Sequence, residues 1–291
     1  MRADGPVVVA LDGTAHSAQT LRWGVEEAVR RRADLLLVRV VEDSWQETAW
    51  SWYPIVGPGD AGPEATEYLA DMVSMLEQHH PGVHVETRVL HGQVVPCLRE
   101  LSVGAQLLVL GAHARTGRSR TGSTGAHVAA HARCPVVVVR SDPDRPTPPT
   151  AAIVVGVDGS SASLAAARVA AREAWMRGRQ LLVVHARPTI PDPFGRGSVP
   201  PLETADENDP THRAAHAVAA RLRDEYDGLA VELALVDDDP ADALVHLGAG
   251  AALLVVGSRG LDSFRGMLLG SVSHAVLREA TIPVIVVHDN G

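Results

Sequence analysis

Short apolar runs alternate with amphipathic stretches along the whole chain. In the C-terminal half, the apolar runs are 152–157, 181–186, 229–236, 253–256 and 284–287. Helical stretches, with apolar residues three or four positions apart, follow Ser160 and lie near 209–226, 240–248 and 271–280. Almost continuously apolar runs are typical of strands buried on both faces of a parallel sheet. Five strands linked by four helices predict an α/β fold, a doubly wound parallel sheet whose ligand binds beyond the carboxyl ends of its strands.

The first helix of this half has a recognisable start. Ser160 or Ser161 is predicted to be its N-cap, because a hydroxyl oxygen can accept a hydrogen bond from a backbone N–H of the first turn. Apolar residues, among them Leu164, Ala167 and Ala171, then repeat at helical spacing. This stripe is expected to face the sheet.

The chain repeats itself at a constant offset. Asp158, which ends one apolar run, lies 146 positions after Asp12, which ends the equivalent run of the first half. Gly111 matches Gly257 at the same offset, and beyond this point the offset becomes 148, so the first half is two residues shorter before Gly122. A register kept over so many positions is typical of a tandem duplication.

The duplication predicts two domains with a linker between them. The segment SDPDRPTPPT has four prolines in ten residues, which cannot sustain a helix or a strand ladder. We therefore expect one domain at 1–141, a proline-rich linker at 142–150 and a second domain at 151–291, each with its own five-stranded parallel sheet.

The last strand of each half predicts how the halves associate. The runs 136–139 and 284–287 are wholly apolar, and no helix follows them within their half. Each should therefore lie at a sheet edge, where an uncovered apolar strand pairs with another like it. The expected assembly is an intramolecular pseudo-dimer, and a homodimer is considered beside it. The alternative is that each strand is interior to its own sheet.

Composition excludes several classes of protein. An apolar fraction of 46% excludes wholesale disorder, and all 26 basic residues are Arg, so no phosphate-loop or Schiff-base Lys exists. A net charge of −9 argues against nucleic-acid and membrane partners, and no apolar run reaches the ~20 residues of a membrane span. A cytoplasmic location is expected.

The cysteines and the paired histidines predict no metal chemistry. Cys97 and Cys134 are expected to be buried reduced thiols. His127 and His131 lack a third ligand, so no protein metal site is expected.

One glycine-rich segment of the second half carries recognisable chemistry. Gly257 and Gly260 follow an apolar run, and after nine further residues Gly270 and Ser271 begin a predicted helix. Glycines let the backbone approach an oxyanion, and a helix N-terminus adds N–H groups and partial positive charge. Ser271 and Ser273 can add hydroxyl donors. The pattern predicts a phosphate cradle, and Gly257→Glu is expected to weaken binding while the fold survives.

This spacing, with V-x-V-D-G-S ending at Ser160 and I-P-V at the last strand, resembles the universal stress protein family, in the tandem form of its ATP-binding branch. The resemblance covers nearly the whole chain, twice. It implies a Rossmann-like, adenine nucleotide alpha-hydrolase-like fold, with ATP and Mg²⁺ as cofactors. The implied site of the second half comprises Gly156, Val157 and Asp158 at the adenosine end, Ala186 beside adenine, Val256, Gly257, Arg259 and Gly260 around the ribose and phosphates, and Gly270, Ser271, Val272 and Ser273 at the phosphate-binding helix. A carboxylate beside a triphosphate would be repelled, so Asp158 should face the nucleoside.

The first half departs from this pattern. Ala114 stands where the second glycine of the loop should be, and only seven residues separate it from Gly122. The loop offers three arginines instead, which either bind phosphate directly or form a solvated surface beside a weakened site. The residues assigned to the first site are Ala10, Asp12, Val40, Gly111, His113, Arg115, Gly117, Arg120, Gly122, Ser123 and Thr124.

Three functions follow from these observations. The favoured one is a nucleotide-binding regulatory protein of stress survival, which binds ATP with little turnover and acts through an unidentified protein partner, as the resemblance implies. The second is an enzyme, either a slow ATPase or a nucleotidyl transferase of related fold, although the H-x-G-H signature of the latter is absent. The third is a structural pseudo-dimer that binds no nucleotide.

Overall fold

The chain folds into two compact units, one ending at Val139 and the other running from Arg140 to the C-terminus. The computed structural model describes residues 5–14, 16–42, 61–112, 123–140, 147–187, 210–261 and 268–289. In these ranges no helix is both long enough and apolar enough to cross a membrane. Each unit contains one copy of the predicted repeat.

The first unit has the predicted alternation of strands and helices. Its described elements are β1 Val7–Ala10, α1 Ser17–Arg31, β2 Leu35–Val41, α2 Ala61–His79, β3 Val85–His91, α3 Val94–Ser102, β4 Leu107–Gly111, α4 Ser123–His131 and β5 Val136–Val139. The strands pair in parallel in the order β3-β2-β1-β4-β5. This is the doubly wound order expected from right-handed crossovers.

The second unit repeats the arrangement. Its described elements are β6 Ile153–Gly156, α5 Ser161–Arg177, β7 Leu181–Arg187, α6 Pro210–Glu225, β8 Val231–Asp237, α7 Pro240–Gly248, β9 Leu253–Gly257, α8 Ser271–Glu279 and β10 Val284–Val287. The strands pair in parallel in the order β8-β7-β6-β9-β10. The predicted α/β class, strand count and winding are confirmed. The packing of the two halves as a pseudo-dimer stays a prediction.

The strands are buried as their composition predicts. Val7, Val9 and Ile153 are fully buried, and so are all four residues of β5 and of β10. Helix α5 corrects one expectation, because Leu164 is 38% exposed and does not face the sheet. Its face toward the sheet consists largely of alanines.

The winding of each sheet positions a site. β1 pairs with both β2 and β4, and in the second half β6 pairs with both β7 and β9. The chain crosses over in opposite directions from the central strand, so a ligand crevice is expected at the carboxyl ends of β6 and β9. Most residues predicted for the second site lie at these strand ends.

Two smaller predictions have mixed outcomes. Cys134 is a buried free thiol, as expected, and burial raises its pKa to about 12. Cys97 is also free but only partly buried. In the described part of the linker, the carbonyl oxygen of Pro148 accepts hydrogen bonds from the Ala151 N–H at 3.0 Å and from Nη1 of Arg179 at 2.9 Å. This end of the linker is therefore attached to the second unit.

Candidate functional site

Asp158 joins the two loops that border the crevice of the second half. One carboxylate oxygen, Oδ1, accepts a hydrogen bond from the Ser160 N–H at 2.9 Å. The other, Oδ2, accepts one from the Leu261 N–H at 3.0 Å. Asp158 therefore holds the loop after β9 against the loop after β6.

The charge of Asp158 is stabilised where it lies. Burial acts to raise the pKa of Asp158, but hydrogen bonds from Ser160, from the Ser163 side chain and from the Leu261 N–H outweigh it. The net result is a pKa below the usual value for Asp, so the group is ionised at neutral pH.

Two further contacts close the same pair of loops. The Ser160 hydroxyl accepts a hydrogen bond from the Ser163 N–H at 3.1 Å, which caps α5, and donates to the Arg259 carbonyl oxygen at 3.4 Å. Ser160, not Ser161, is thus the N-cap. A Cβ added to Gly260 would lie 2.5 Å from Oδ2 of Asp158, so only glycine permits this approach.

The N-terminus of α8 differs from those of α5 and α7. Ser160 and Asp239 cap α5 and α7 with side-chain oxygens, whereas α8 begins after Gly270 with no side-chain cap. Gly270 donates its N–H to the Ser258 carbonyl oxygen at 2.8 Å, which brings the loop after β9 to the start of this helix. The exposed Arg259 lies in that loop. Helix N–H groups without a side-chain cap, next to a loop that carries an arginine, are chemically suited to an anion.

Ser273 and Gly257 have packing roles that the sequence did not reveal. The buried Ser273 hydroxyl donates its single proton to the Gly257 carbonyl oxygen at 2.5 Å, which leaves the exposed Ser271 as the hydroxyl donor at this end of α8. A Cβ added to Gly257 would lie 2.8 Å from the backbone carbon of Ala162. This contact argues against the expectation that Gly257→Glu leaves the fold unperturbed, because α5 packs directly on this residue.

The residues predicted for the adenosine end lie at the strand ends. The Val157 N–H donates to the Val184 carbonyl oxygen at 2.8 Å, and the Val157 carbonyl oxygen is 2.8 Å from Nδ1 of His185. Backbone groups of Val157 are thus already engaged within the protein. Gly156, also predicted for this end, ends β6, and Ala186 is half-buried in β7. Of the residues predicted nearer the phosphates, Val256 is buried in β9 and Val272 is half-buried in α8.

The described part of the first site has the same strand ends. Ala10 ends β1, Val40 is half-buried in β2 and Gly111 ends β4. Asp12 is exposed, and its Oδ1 accepts hydrogen bonds from the Thr14 N–H at 2.9 Å and from the Ser17 hydroxyl at 2.8 Å. The described hydrogen bonds of Asp12 thus come from the start of the helix that follows it.

The arginine-rich loop of the first half is not among the described residues. Of the predicted site, His113, Arg115, Gly117, Arg120 and Gly122 fall in this segment. Ser123 begins α4, and Thr124 is exposed in its first turn. The two interpretations of the loop, phosphate binding and solvated surface, stay predictions.

Residues that the sequence did not single out also shape the site. Leu261 and Ser258 contribute only backbone groups, which a residue type does not report. Ser160 was predicted as a helix cap but not as a link between loops. Nowhere in the described ranges do three or more His, Cys, Asp or Glu side chains form a group that could hold a metal ion.

Two doubly wound α/β domains in tandem, each with a glycine at the end of its fourth strand, define the class of protein. The sequence profile of the Universal stress protein family matches residues 5–140 and 150–288. The chain belongs to the universal stress protein family.

Known proteins of the family are similar along the whole chain. Universal stress protein Rv2005c of Mycobacterium tuberculosis (strain ATCC 25618 / H37Rv) is 34% identical over 293 residues, which cover 96% of each chain. Universal stress protein Rv2623 of the same strain is 32% identical over 301 residues, covering 98% of this chain and 96% of the relative. The crystal structure of a universal stress protein from Archaeoglobus fulgidus DSM 4304 has a TM-score of 0.68 at 18% identity, covering 98% of this chain and 96% of that one. That structure supports the fold alone.

Proposed function

We propose that the second half binds an adenine nucleotide, ATP with Mg²⁺, and that the protein is a nucleotide-dependent regulator in stress survival with little or no turnover. The observation that carries this proposal is the N-terminus of α8, which has no side-chain cap and lies against the loop that contains Arg259. Phosphate oxygens would accept from its N–H groups, and the helix dipole favours their negative charge. Asp158 would then face the nucleoside, away from the phosphates.

The proposed Mg²⁺ ion would need few ligands from the protein. Since the described residues contain no cluster of metal ligands, Mg²⁺ would be held by the nucleotide phosphates and water, as is common for this ion. When bound, the ion would neutralise part of the phosphate charge. Ser271, exposed at the start of α8, is the side chain that would meet the phosphates.

A regulatory role is supported by what the site residues also hold in place. Asp158 and Ser160 attach the loop after β9, and Leu261 in that loop exposes 62% of its surface. A ligand that competed for Asp158 or approached the loop would change the surface that Leu261 presents. A protein partner would recognise the nucleotide-bound form through this loop.

The test uses the full chain with Ser271→Glu and, as its matched control, Ser271→Gln. A carboxylate in the first helical turn is compatible with the helix dipole, so Ser271→Glu should keep the fold, yet it repels phosphate at the same place. Titration calorimetry with ATP and Mg²⁺ should show that Ser271→Glu loses one bound nucleotide per chain, while Ser271→Gln retains it. Mass spectrometry of ligand released from the purified wild type should identify an adenine nucleotide.

Three results would contradict the proposal. They are equal ATP binding by the two variants, tighter binding of NAD or FAD than of ATP, and no nucleotide bound by the wild type. Phosphate release at the turnover numbers usual for enzymes, about 1 s⁻¹ or more, would contradict the low turnover proposed here.

A further inference from the structure

The duplicated halves carry residues of different charge at one equivalent position of their second strand. Arg39 in β2 and His185 in β7 are equivalent positions, 146 residues apart like Asp12 and Asp158. An arginine is always protonated, whereas an imidazole can be neutral. At this position one half therefore has a permanent cation and the other a histidine. The arginine that ends β7, Arg187, is paired with Asp237 at 3.0 Å.

The structure holds the Arg39 guanidinium at the rim of the first site. Its Cζ lies 5.0 Å from the ring centroid of Tyr68 on α2. A Cβ added to Gly13 would lie 3.2 Å from Cζ and Nη1 of Arg39, so the cation also touches the loop between β1 and α1, one residue after Asp12. Stacking on an aromatic ring uses the face of a guanidinium and leaves its N–H edge for hydrogen bonds. Within the described residues no carboxylate forms an ion pair with Arg39.

The second half has a different arrangement at the same place. His185 is 6% exposed, and its Nδ1 is 2.8 Å from the Val157 carbonyl oxygen, which can only accept a hydrogen bond, so Nδ1 carries a proton. Its ring meets the buried His212 edge-on, with centroids 5.8 Å apart. Ala214 occupies the position equivalent to Tyr68, so the aromatic support for a cation is missing as well.

An arginine at this position has a defined chemistry in doubly wound sheets. In dinucleotide-binding sheets, an acidic residue binds the free 2′-hydroxyl of the ribose, whereas an arginine nearby accommodates a 2′-phosphate. A guanidinium matches the geometry of a phosphate with two parallel N–H donors. The contact with Tyr68 reduces the freedom of the Arg39 side chain, which lowers the entropic cost of binding a phosphate.

We propose that the first half selects nucleotides with a second phosphate on the 2′ or 3′ ribose oxygen, bound by Arg39, and that the second half does not. This inference rests on the proposed nucleotide binding. The two halves would then be sensors of different nucleotides in one chain. The expected ligand is a nucleoside bisphosphate, with one phosphate on the 5′ oxygen of the ribose and the other on its 2′ or 3′ oxygen.

The test measures the first half in the full chain with the second site disabled by Ser271→Glu. Adenosine 3′,5′-bisphosphate and adenosine 2′,5′-bisphosphate are titrated by calorimetry, with ADP as the matched ligand, because ADP has two phosphates on one ribose oxygen. One bisphosphate should bind about tenfold or more tightly than ADP, as one charged hydrogen-bonded contact predicts. The two bisphosphates distinguish the 2′ from the 3′ position.

Variants assign the preference to Arg39. Arg39→His, which introduces the residue of the second half, should abolish the preference for the bisphosphate. Arg22→His removes the same charge from an exposed position on α1 and should retain it. The reciprocal variant, His185→Arg with Ala214→Tyr, should create the preference in the second half.

The outcomes separate this inference from the proposed function. ADP binding without a preference for either bisphosphate, or a preference that survives Arg39→His, would overturn the role of Arg39 and leave nucleotide binding intact. If the chain with Ser271→Glu bound none of the three ligands while the wild type bound ADP, the first half would not be a site of this kind. No binding by the wild type would overturn the proposed function itself.

Discussion

At the scale of residues, two aspartates that align in sequence both accept hydrogen bonds from the start of the following helix. The described hydrogen bonds of Asp12 come from Thr14 and Ser17, at the start of its own helix. Asp158 accepts one from Ser160 and one from Leu261, which is 103 positions away. The aligned sequences predict a carboxylate at the strand end in both halves. They do not predict what it contacts, because that depends on where a distant loop lies.

The surroundings of Asp158 predict how stability depends on pH. Its pKa is lowered in the folded protein, so its contribution to stability is complete above about pH 4, near the pKa of Asp in an unfolded chain. The contribution is lost as the pH falls through the lowered folded value. Asp158→Asn should be about 1–2 kcal/mol less stable than the wild type at neutral pH, because one amide cannot accept both N–H groups in this arrangement.

Urea unfolding at a series of pH values tests this. The difference between Asp158→Asn and the wild type should shrink below about pH 4. Asp224→Asn, at an exposed position on α6, is the control and should change stability by less than about 0.5 kcal/mol at neutral pH. A difference that stays constant as the carboxylate becomes protonated would contradict the assigned role.

At the scale of elements, the apolar periodicity located strands and helices well. The runs predicted as strands correspond to β6 to β10, and the helical stretches to α5 to α8, with shifts of a residue or two at their ends. Periodicity reports which side of an element is buried, and this is largely a local property. It failed at Leu164, because the small alanines of α5 occupy the sheet-facing positions and leave this leucine exposed.

Glycines at the ends of the fourth strands decide how closely the first helix of each half packs. A Cβ at Gly111 would lie 2.6 Å from Oγ1 of Thr20 in α1, and one at Gly257 would lie 2.8 Å from the backbone of Ala162 in α5. Both glycines were predicted to be phosphate-loop residues. Their common packing role shows that the fold itself requires a glycine at both positions.

Replacing these glycines should therefore destabilise the protein. Gly257→Ala should lower the free energy of unfolding by about 1–3 kcal/mol, the usual cost of overpacking, because backbone atoms of α5 would have to move. Gly250→Ala is the matched control, since a Cβ there would meet nothing within 4 Å, and it should change stability by less than about 0.5 kcal/mol. Thermal and urea unfolding measure both. Equal effects of the two substitutions would show that α5 does not depend on Gly257.

At the scale of the whole molecule, the duplication has produced two halves with one fold and different chemistry. Strand order and element order are the same in both. At the predicted nucleoside end, the first half has Arg39 where the second has His185. At the predicted phosphate end, only the first half has the arginine-rich loop, with Ala114 in place of a glycine. The halves are therefore expected to bind ligands with different dependence on salt.

Titration at low and high salt compares the halves. Ser271→Glu leaves the first half to be measured, and Ser123→Glu, its equivalent, leaves the second. If arginines bind phosphate in the first half, its affinity should fall more steeply with salt, because exposed charge pairs are screened over about 8–10 Å. Arg118→Ala or Arg120→Ala should each cost about tenfold in its affinity. Equal salt slopes, with no effect of either substitution, would show that the loop is a solvated surface.

The sequence by itself determined the α/β class, the duplication, the order of the elements and membership of the family, because these follow from local periodicity and from spacing along the chain. It also placed the glycine and serine residues of the second half at a strand end and a helix start. Only the tertiary structure decided what each of them does. Ser273 uses its proton within the protein, Gly257 admits α5, and Asp158 binds a loop far away in the chain. Hydrogen bonds and close packing join residues that are distant in sequence, so their partners are settled only when the sheet and its helices have assembled.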